Sequence, residues 1–525
     1  MALNRRYPIG IQTFSEIIKG GYVYVDKTDL VWELIQKKYV FLSRPRRFGK
    51  SLLSSTFHSY FAGEKELFKG LKIMNLESDW NAYPVLHFDL SEAKGKGCAS
   101  ELRRYLNLML DGINYGFNPN EKTPGERLKG IIRRAFEQTG KQVVVIIDEY
   151  DAPLLEVLHD DLMLEEMRQV MQEFYQPLKP AEPMLKFCFI TGITKSSQLS
   201  IFSTINNIDN ISLLPRFSAI CGITETEVKT VFEEDIRVLA EKHDCTPEVM
   251  FSKLKERYDG YHFSHSSEDI YNPFSLLKAF SDGDLTNGWF ASGTPTFLVR
   301  QMKHFRTDIT TLEHLEVPSS AFDRSTAELT SALPLLYQSG YLTIKGYDRE
   351  SMTYLLSIPN QEVKIGITEC LIPAYVGLED YEVQVGFALK FWRALKVNDV
   401  ETAMRVLQAY LANIPYVEGF KKKLSEAATA EGFYEYTLYL IFSMLNVYVR
   451  TQIKCAGGRI DMVVCMPDTT YVFELKTRGT AKQALEQIDN RGYAIPFNVG
   501  DKKVVKVGLL FDVESRTLKE WVYTL

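Results

Sequence analysis

Three residues near the C-terminus have the types and spacing of a metal-assisted hydrolytic site. The segment GGRIDMVVCM-PDTT-YVFELKT carries Asp461, Glu474 and Lys476. A hairpin turning through Pro467-Asp468 sets Cys465 opposite Thr470, and the same register sets Asp461 opposite Glu474. Directly opposed residues on one sheet face have Cβ atoms about 5 Å apart, close enough for both carboxylates to hold one divalent ion. Lys476 shares that face by the two-residue period of a strand, while Leu475 turns to the core. Two carboxylates and an ammonium around a hard cation suit phosphodiester hydrolysis. Asp461 and Glu474 would bind Mg²⁺, with Mn²⁺ as an alternative and Glu431 joining through water; Lys476 would position the attacking water or stabilise the pentavalent transition state. The plainer alternative is a Glu474–Lys476 salt bridge on an exposed strand.

The neighbouring sequence supplies supports for such a site. Gly457-Gly458 allows a close approach before Asp461, and Glu431 and Glu435 lie one turn apart on a predicted helix. Thr480 is a candidate N-cap for a helix whose stripe Ala481, Ala484, Leu485 and Ile488 faces the core, with Gln487 and Tyr493 near its far end.

A second chemical pattern lies far upstream. The run YVFLS is followed by Arg44-Pro-Arg-Arg-Phe-Gly49-Lys50-Ser51 and then by the helical LLSSTFHSYF. Strand, loop ending in Gly-Lys-Ser, then helix is the setting of a phosphate-binding loop. Successive N–H groups from Arg46, Arg47, Phe48 and Gly49 would cradle phosphates, Lys50 would reach the β- and γ-phosphates, and Ser51 would hold Mg²⁺. Arg44 departs from the generic motif, which has glycine there. The apolar strand VVVIID ends in Asp148 and Glu149, a metal-holding acid followed by one that would polarise the attacking water. Thr191, ending LKFCFIT, is a candidate γ-phosphate sensor, and Arg216 a candidate arginine finger from this or a neighbouring subunit; the latter case would require a homo-oligomer.

These residues need elements to hold them. In residues 1–225, YVFLS (39–43), PVLHFDL (84–90), QVVVIID (142–148) and LKFCFIT (185–191) alternate with helical stretches, which implies a parallel sheet with helices on both faces. Residues 226–375 read as mostly helical. There, STAELTSALPLLYQSGYLTIKG and SMTYLLSIPNQEV give helix, strand, turn and strand, a winged-helix-like pattern that reads DNA or serves as a packing or lid element. Residues 376–525 read as paired amphipathic helices (383–413), a helix (431–446), a strand near 447–453, the hairpin, a helix (480–492) and the strand VVKVGLLFDV. The fold class is α/β throughout.

Bulk properties narrow the possibilities. A chain of 525 residues is too long for one core, and 45% hydrophobic with 24% charged residues is ordinary for a soluble protein. The N-terminal MALNRRYPIG lacks a secretory apolar segment, and no apolar run approaches a membrane span, so a cytoplasmic protein with no membrane partner is expected. The seven cysteines are odd in number and never spaced Cys-x-x-Cys, which argues against a disulfide framework or zinc site. All eight histidines precede residue 315, so chemistry in the last third must rely on carboxylates and lysine. A net charge of −6 disfavours broad coating of nucleic acid but leaves local basic grooves: Arg44, Arg46 and Arg47; Lys421 to Lys423; and Lys476, Arg478 and Lys482.

Taken together, RPRRFGKS, VVVIIDEYDAPL, TGITK, YDGYHF and YNPFSLL, with EGFYEYTLY, GGRIDMVV, YVFELK and QALEQI, resemble the bacterial proteins that fuse an AAA-ATPase-like domain to a PD-(D/E)XK-superfamily nuclease domain. The resemblance covers nearly the whole chain, and Arg44 fits that family's own form of the loop. It implies nuclease roles for Glu431, Asp461, Glu474 and Lys476, with Gln487 auxiliary. Tyr258 to Phe263 and Asn272-Pro273 carry the resemblance without an assigned chemistry, and a sheltered turn is expected there. The expected activity is an ATP-binding, ATP-regulated, Mg²⁺-dependent nuclease acting on DNA. The alternative is a nucleotide-dependent switch whose C-terminal domain binds DNA or a partner without cutting; a helicase-like motor ranks below both.

Overall fold

The structure is a computed structural model. It describes residues 5–93, 97–116, 118–155, 157–195, 208–289, 296–305, 307, 312, 314–323, 329–367, 381–412, 448–455, 458–466, 468–498, 502–512, 514–515 and 517–524. Two compact units divide the chain, residues 1–363 and 364–525. The expected 225/226 boundary thus falls inside the first unit.

In the first unit, β1 (Tyr39–Ser43), β2 (Val85–Asp89), β3 (Val143–Asp148), β4 (Leu185–Gly192) and β5 (Asp209–Asn210) form a parallel sheet in the order β2-β3-β4-β1-β5. The expected strands fall within a residue of these limits; β5 adds an edge. Every position of β1 and β3 is buried, as a strand covered on both faces requires. The helix Lys50–Phe61 packs on β3, and Pro124–Thr139 also contacts β3 and packs with Ala99–Asp111 and Asp161–Tyr175. The Pro124–Thr139 helix starts cleanly because Thr123 and Glu126 form a reciprocal capping box with Pro124 behind the cap, and Gly140 ends it at φ 66°.

The rest of this unit is built around short strands. β6 (Ile223–Thr224) pairs with β7 (Ile270–Tyr271), bracketing helices whose core includes Phe232, Leu254, Tyr258 and Leu276. β8 (Leu315–Pro318), β9 (Thr343–Asp348) and β10 (Thr353–Ser357) form an antiparallel sheet in the order β8-β10-β9, with the helix Leu333–Gln338 preceding β9 and β10. This is the expected helix, strand, turn and strand. Its contacts favour the packing role: Lys345 donates to the Gly260 carbonyl, Thr343 accepts from the His262 N–H, and the wing turn carries Asp348 and Glu350.

The second unit holds the paired helices Tyr381–Lys396 and Val400–Ala412 and a mixed sheet of β11 (Tyr448–Cys455), β12 (Gly458–Cys465), β13 (Thr469–Lys476), β14 (Lys503–Asp512) and β15 (Thr517–Thr524), paired in that order. Only β13 and β14 run parallel. The helix Ala481–Asn490 connects these two, its Thr480 cap and Gln483 form a capping box, and Ala481, Ala484, Leu485 and Ile488 are its buried stripe. The expected helix 431–446 lies outside the described residues. Among those described, Cys98, Cys188, Cys221, Cys245 and Cys465 are free thiols, and no helix is long and apolar enough to cross a membrane.

Gly192, closing β4, shows how tightly the strand ends are packed: a Cβ there would lie 2.5 Å from the Tyr150 ring and against the Asp151 carboxylate. Gly192→Ala is expected to destabilise the protein by roughly 1–3 kcal/mol through overpacking. At Gly97, where a Cβ meets nothing within 4 Å, the same change should stay within about 0.5 kcal/mol. Urea unfolding of the two variants beside wild type tests the difference.

Candidate functional site

The phosphate-loop residues converge at the C-terminal ends of β1 and β3. Gly49 takes φ 91° at the start of the helix Lys50–Phe61, with nothing near its missing Cβ, so backbone conformation and not space demands glycine. Two non-glycine residues of the site also sit in the left-handed region, Arg47 at φ 68° and Glu149 at φ 50°. Such strain costs about 1–2 kcal/mol for each residue and persists only where surroundings impose it.

Lys50 is buried, with Nζ 3.3 Å from the Pro45 carbonyl and 3.6 Å from the Glu149 carboxylate. Asp148 is buried too; burial first and then the Glu149 charge push its pKa up to about 6, while a hydrogen bond with the Ser51 side chain and the charge of Lys50 oppose the rise. Ser51, Lys50, Asp148 and Glu149 are therefore one cluster. The donor set of a hydroxyl touching a carboxylate, beside an ammonium and a helix N-terminus, suits Mg²⁺ with a polyphosphate.

Arg44 has another task. Its guanidinium is buried, donates to the carbonyls of Ser43 (3.0 Å), Ser212 (2.7 Å) and Phe217 (3.1 Å), and lies 4.1 Å over the Phe263 ring. Burial pulls its pKa down to about 10. As a strut it cannot also serve the basic groove considered from sequence. Arg47 stacks over Phe274 at 4.3 Å, and Arg46 is half-buried in the loop.

Two of the expected helpers have their polar groups engaged elsewhere. Thr191 is fully buried and its hydroxyl donates to the Leu42 carbonyl at 2.7 Å, tying β4 to β1. A γ-phosphate sensor would have to give up that bond. Arg216, on an exposed turn, is held by Glu33 through two hydrogen bonds, one of 2.8 Å. Asp151 is not singled out by sequence reading, yet it is buried and accepts from Thr194 N (2.7 Å), Thr194 Oγ1 (2.6 Å) and Ile193 N (3.3 Å), fixing the TGIT turn.

In the second unit, Cys465 pairs with Thr470 and Met462 with Phe473, the register expected of the hairpin. The β12–β13 ladder ends one step before Asp461 and Glu474. There the Asp461 carboxylate accepts the backbone N–H of Leu475 at 2.8 Å. Glu474 is only 2% exposed, which excludes the exposed-strand alternative. Its Oε1 accepts from Gln487 Nε2 and lies 3.6 Å from Lys476 Nζ. Its Oε2 is buried with no hydrogen-bond partner among the described residues. Burial, and next the Asp461 charge, push the Glu474 pKa well above the usual carboxylate range, while Lys476 and Gln487 oppose the shift.

A buried carboxylate oxygen without a partner, in the field of a second carboxylate, is costly unless protonated or met by a counter-charge. The chemistry of this pair would suit a hard divalent ion. Among the described residues no group of three metal-ligating side chains forms, and Glu431, the expected third contributor, lies outside them. Tyr493 is buried and packs its hydroxyl at Gly458, whose φ of 134° and close contact (3.0 Å from a would-be Cβ) explain that glycine; Gly457 lies outside the described residues.

The helix bearing Gln487 reaches Glu474 because of Gly508, which sequence reading does not single out. Gly508 is the β14 partner of Glu474, and a Cβ on it would strike the Ala481 carbonyl and lie 2.6 Å from Leu485 N. A lone glycine inside VVKVGLLFDV was the available signal of such close approach.

A family model described as predicted AAA-ATPase matches residues 8–202, and one for the PD-(D/E)XK nuclease superfamily matches residues 429–521. The "uncharacterized protein in vnfD 5′ region" of Azotobacter chroococcum mcd 1 is 33% identical over 535 residues, covering 99% of this chain and 98% of that protein. No solved structure matches the chain.

Replacing Arg44 by Met keeps most of its bulk but removes all three hydrogen bonds to carbonyls. It should lower unfolding stability by roughly 2–4 kcal/mol, since buried carbonyls lose their partners. A urea midpoint equal to wild type would mean the strut does not form.

Proposed function

The chain belongs to the fusion proteins that join a predicted AAA-ATPase domain to a PD-(D/E)XK-superfamily nuclease domain, and on that premise we propose that it is an ATP-regulated, metal-dependent nuclease acting on DNA. The observation that carries the reading is Glu474: a buried carboxylate with one oxygen held by Gln487 and Lys476 and the other unpartnered beside Asp461.

In this reading Asp461 and Glu474 hold Mg²⁺ or Mn²⁺. A bound divalent ion supplies an acidified water and positive charge at the scissile phosphate. Lys476, partly exposed and on the same face, orients the water and stabilises charge on the phosphoryl oxygens. Gln487 keeps Glu474 in place as a donor to Oε1. In the first unit the N–H groups of residues 46–49 and Lys50 bind the nucleotide phosphates, Ser51 and Asp148 hold the accompanying ion, and Glu149 orients the attacking water. Nucleotide state would then regulate access to the C-terminal site.

The switch reading draws support from Thr191 and Arg216. With their polar groups on Leu42 and Glu33, neither is poised to speed hydrolysis, which suits tight binding and slow turnover.

Glu474→Ala is expected to reduce Mg²⁺- or Mn²⁺-dependent cleavage at least about 100-fold over a panel of duplex, single-stranded and branched nucleic acids. Lys50→Ala should remove ATP binding and any ATP dependence of cleavage. Equal cleavage by Glu474→Ala and wild type would discard the nuclease; equal rates with and without ATP would discard regulation alone.

A further inference from the structure

The phosphate loop is gripped from outside its own sheet. Phe48 is buried and meets two rings edge-on, Tyr261 at 4.7 Å and Phe263 at 5.2 Å between centroids. Phe263 also lies under the Arg44 guanidinium and Phe274 under that of Arg47. Opposite them Gly340, at φ 87°, comes so near that a Cβ would lie 2.7 Å from Pro45 Cβ. Four of the loop's six residues before Lys50, namely Arg44, Pro45, Arg47 and Phe48, are thus touched by residues 261–340.

The gripping segment is itself rigidly built. Tyr261 and Ile270 exchange two backbone hydrogen bonds, of 3.2 and 2.7 Å, and His262 Nδ1 pairs with Asp269 at 3.0 Å. Gly260, at φ 88°, leaves no room for a side chain against the Pro359 carbonyl. Asn272 caps the helix Pro273–Asp282, accepting from Ser275 N at 3.1 Å, and so fixes Phe274 in its first turn. This gives YDGYHF and YNPF a physical role beyond that of a sheltered turn.

We propose that Tyr261, Phe263 and Phe274 are positioning residues for the nucleotide: they hold loop 44–49 in its phosphate-binding shape, so loop occupancy and the seating of residues 258–274 are one linked equilibrium. The inference rests on the nucleotide-binding reading and extends it. Arg47 holds a left-handed backbone that an isolated loop would abandon, and its side chain is pinned by Phe274. If the grip loosens, the competent loop is only fractionally populated, and apparent affinity falls by that fraction. Linkage makes the effect reciprocal, so nucleotide must tighten the grip by the same factor.

The test uses full-length protein, a fluorescent ATP analogue with Mg²⁺ for affinity, and thermal unfolding for stability. Phe263→Leu and the less buried Phe274→Leu should each weaken binding about 10-fold or more, and Phe263→Tyr should recover most of the loss. Phe232→Leu, in the helical core and stacked on Phe280, should lower the Tm without changing affinity. Wild-type affinity in both Phe263→Leu and Phe274→Leu, or an equal loss in Phe232→Leu, overturns the inference alone. A wild-type protein that binds no more analogue than Lys50→Ala overturns the nucleotide reading and the inference with it.

Discussion

Both units keep a charge out of water with an incomplete set of partners. Arg44 carries its positive charge among carbonyls and a ring, and Asp148 and Glu474 carry theirs beside further carboxylates. Burying an ion costs several kcal/mol unless hydrogen bonds and counter-charge replace its hydration. Arg44 offsets most of that cost with three carbonyls and the Phe263 ring, only its Nε lacking a partner among the described residues, and so it is a fixed part of the scaffold. Asp148 accepts from Glu149 N and the Ser51 side chain yet stands beside a second carboxylate, and Glu474 keeps one oxygen unpartnered among the described residues; the remaining like-charge deficit is what a cation would fill. What differs is the neighbour: Arg44 lies among carbonyls and a ring, whereas Asp148 and Glu474 each lie beside another carboxylate.

The local neighbourhoods follow from that division. Around Glu474, a parallel partner strand with glycine opposite lets the Ala481–Asn490 helix come close, and that closeness gives Gln487 its reach. Around Asp148, the strained Glu149 backbone swings its carboxylate toward Lys50, leaving the ammonium balanced. Neither site is assembled by side chains alone: one depends on a close approach that only glycine allows, the other on left-handed backbone at Arg47, Gly49 and Glu149.

How much of this was legible in the sequence depends on the range of the cause. The β12–β13 register followed from a turn and a period of two, both local, and Cys465 does meet Thr470. The Thr480 cap and its apolar stripe are equally local. What escaped was long-range: the role of Phe263 depends on Phe48, about two hundred residues away, and no periodicity links them. Asp461 is an instructive intermediate case. Strand arithmetic set it opposite Glu474, but its carboxylate takes the Leu475 N–H, a choice made by side-chain conformation at the end of a ladder. Thr191 stands likewise at the expected strand end with its hydroxyl committed across the sheet.

On the proposed reading, a chain with net charge −6 would have to attract nucleotide and nucleic acid locally, since its overall field repels them. In the first unit that attraction would fall to Lys50, to the half-buried Arg46 and to the N–H groups at a helix start, because Arg44 is enclosed and Arg47 is stacked. In the second, Lys476 faces Glu474, while Arg478 and Lys482 follow on the exposed turn and first helical turn. Short-range attraction of this kind favours a ligand already at contact distance over one merely nearby. On the proposed reading, shape, set by the aromatic contacts on one loop and by Gly508 beneath one helix, would govern which anion is accepted more than net charge does.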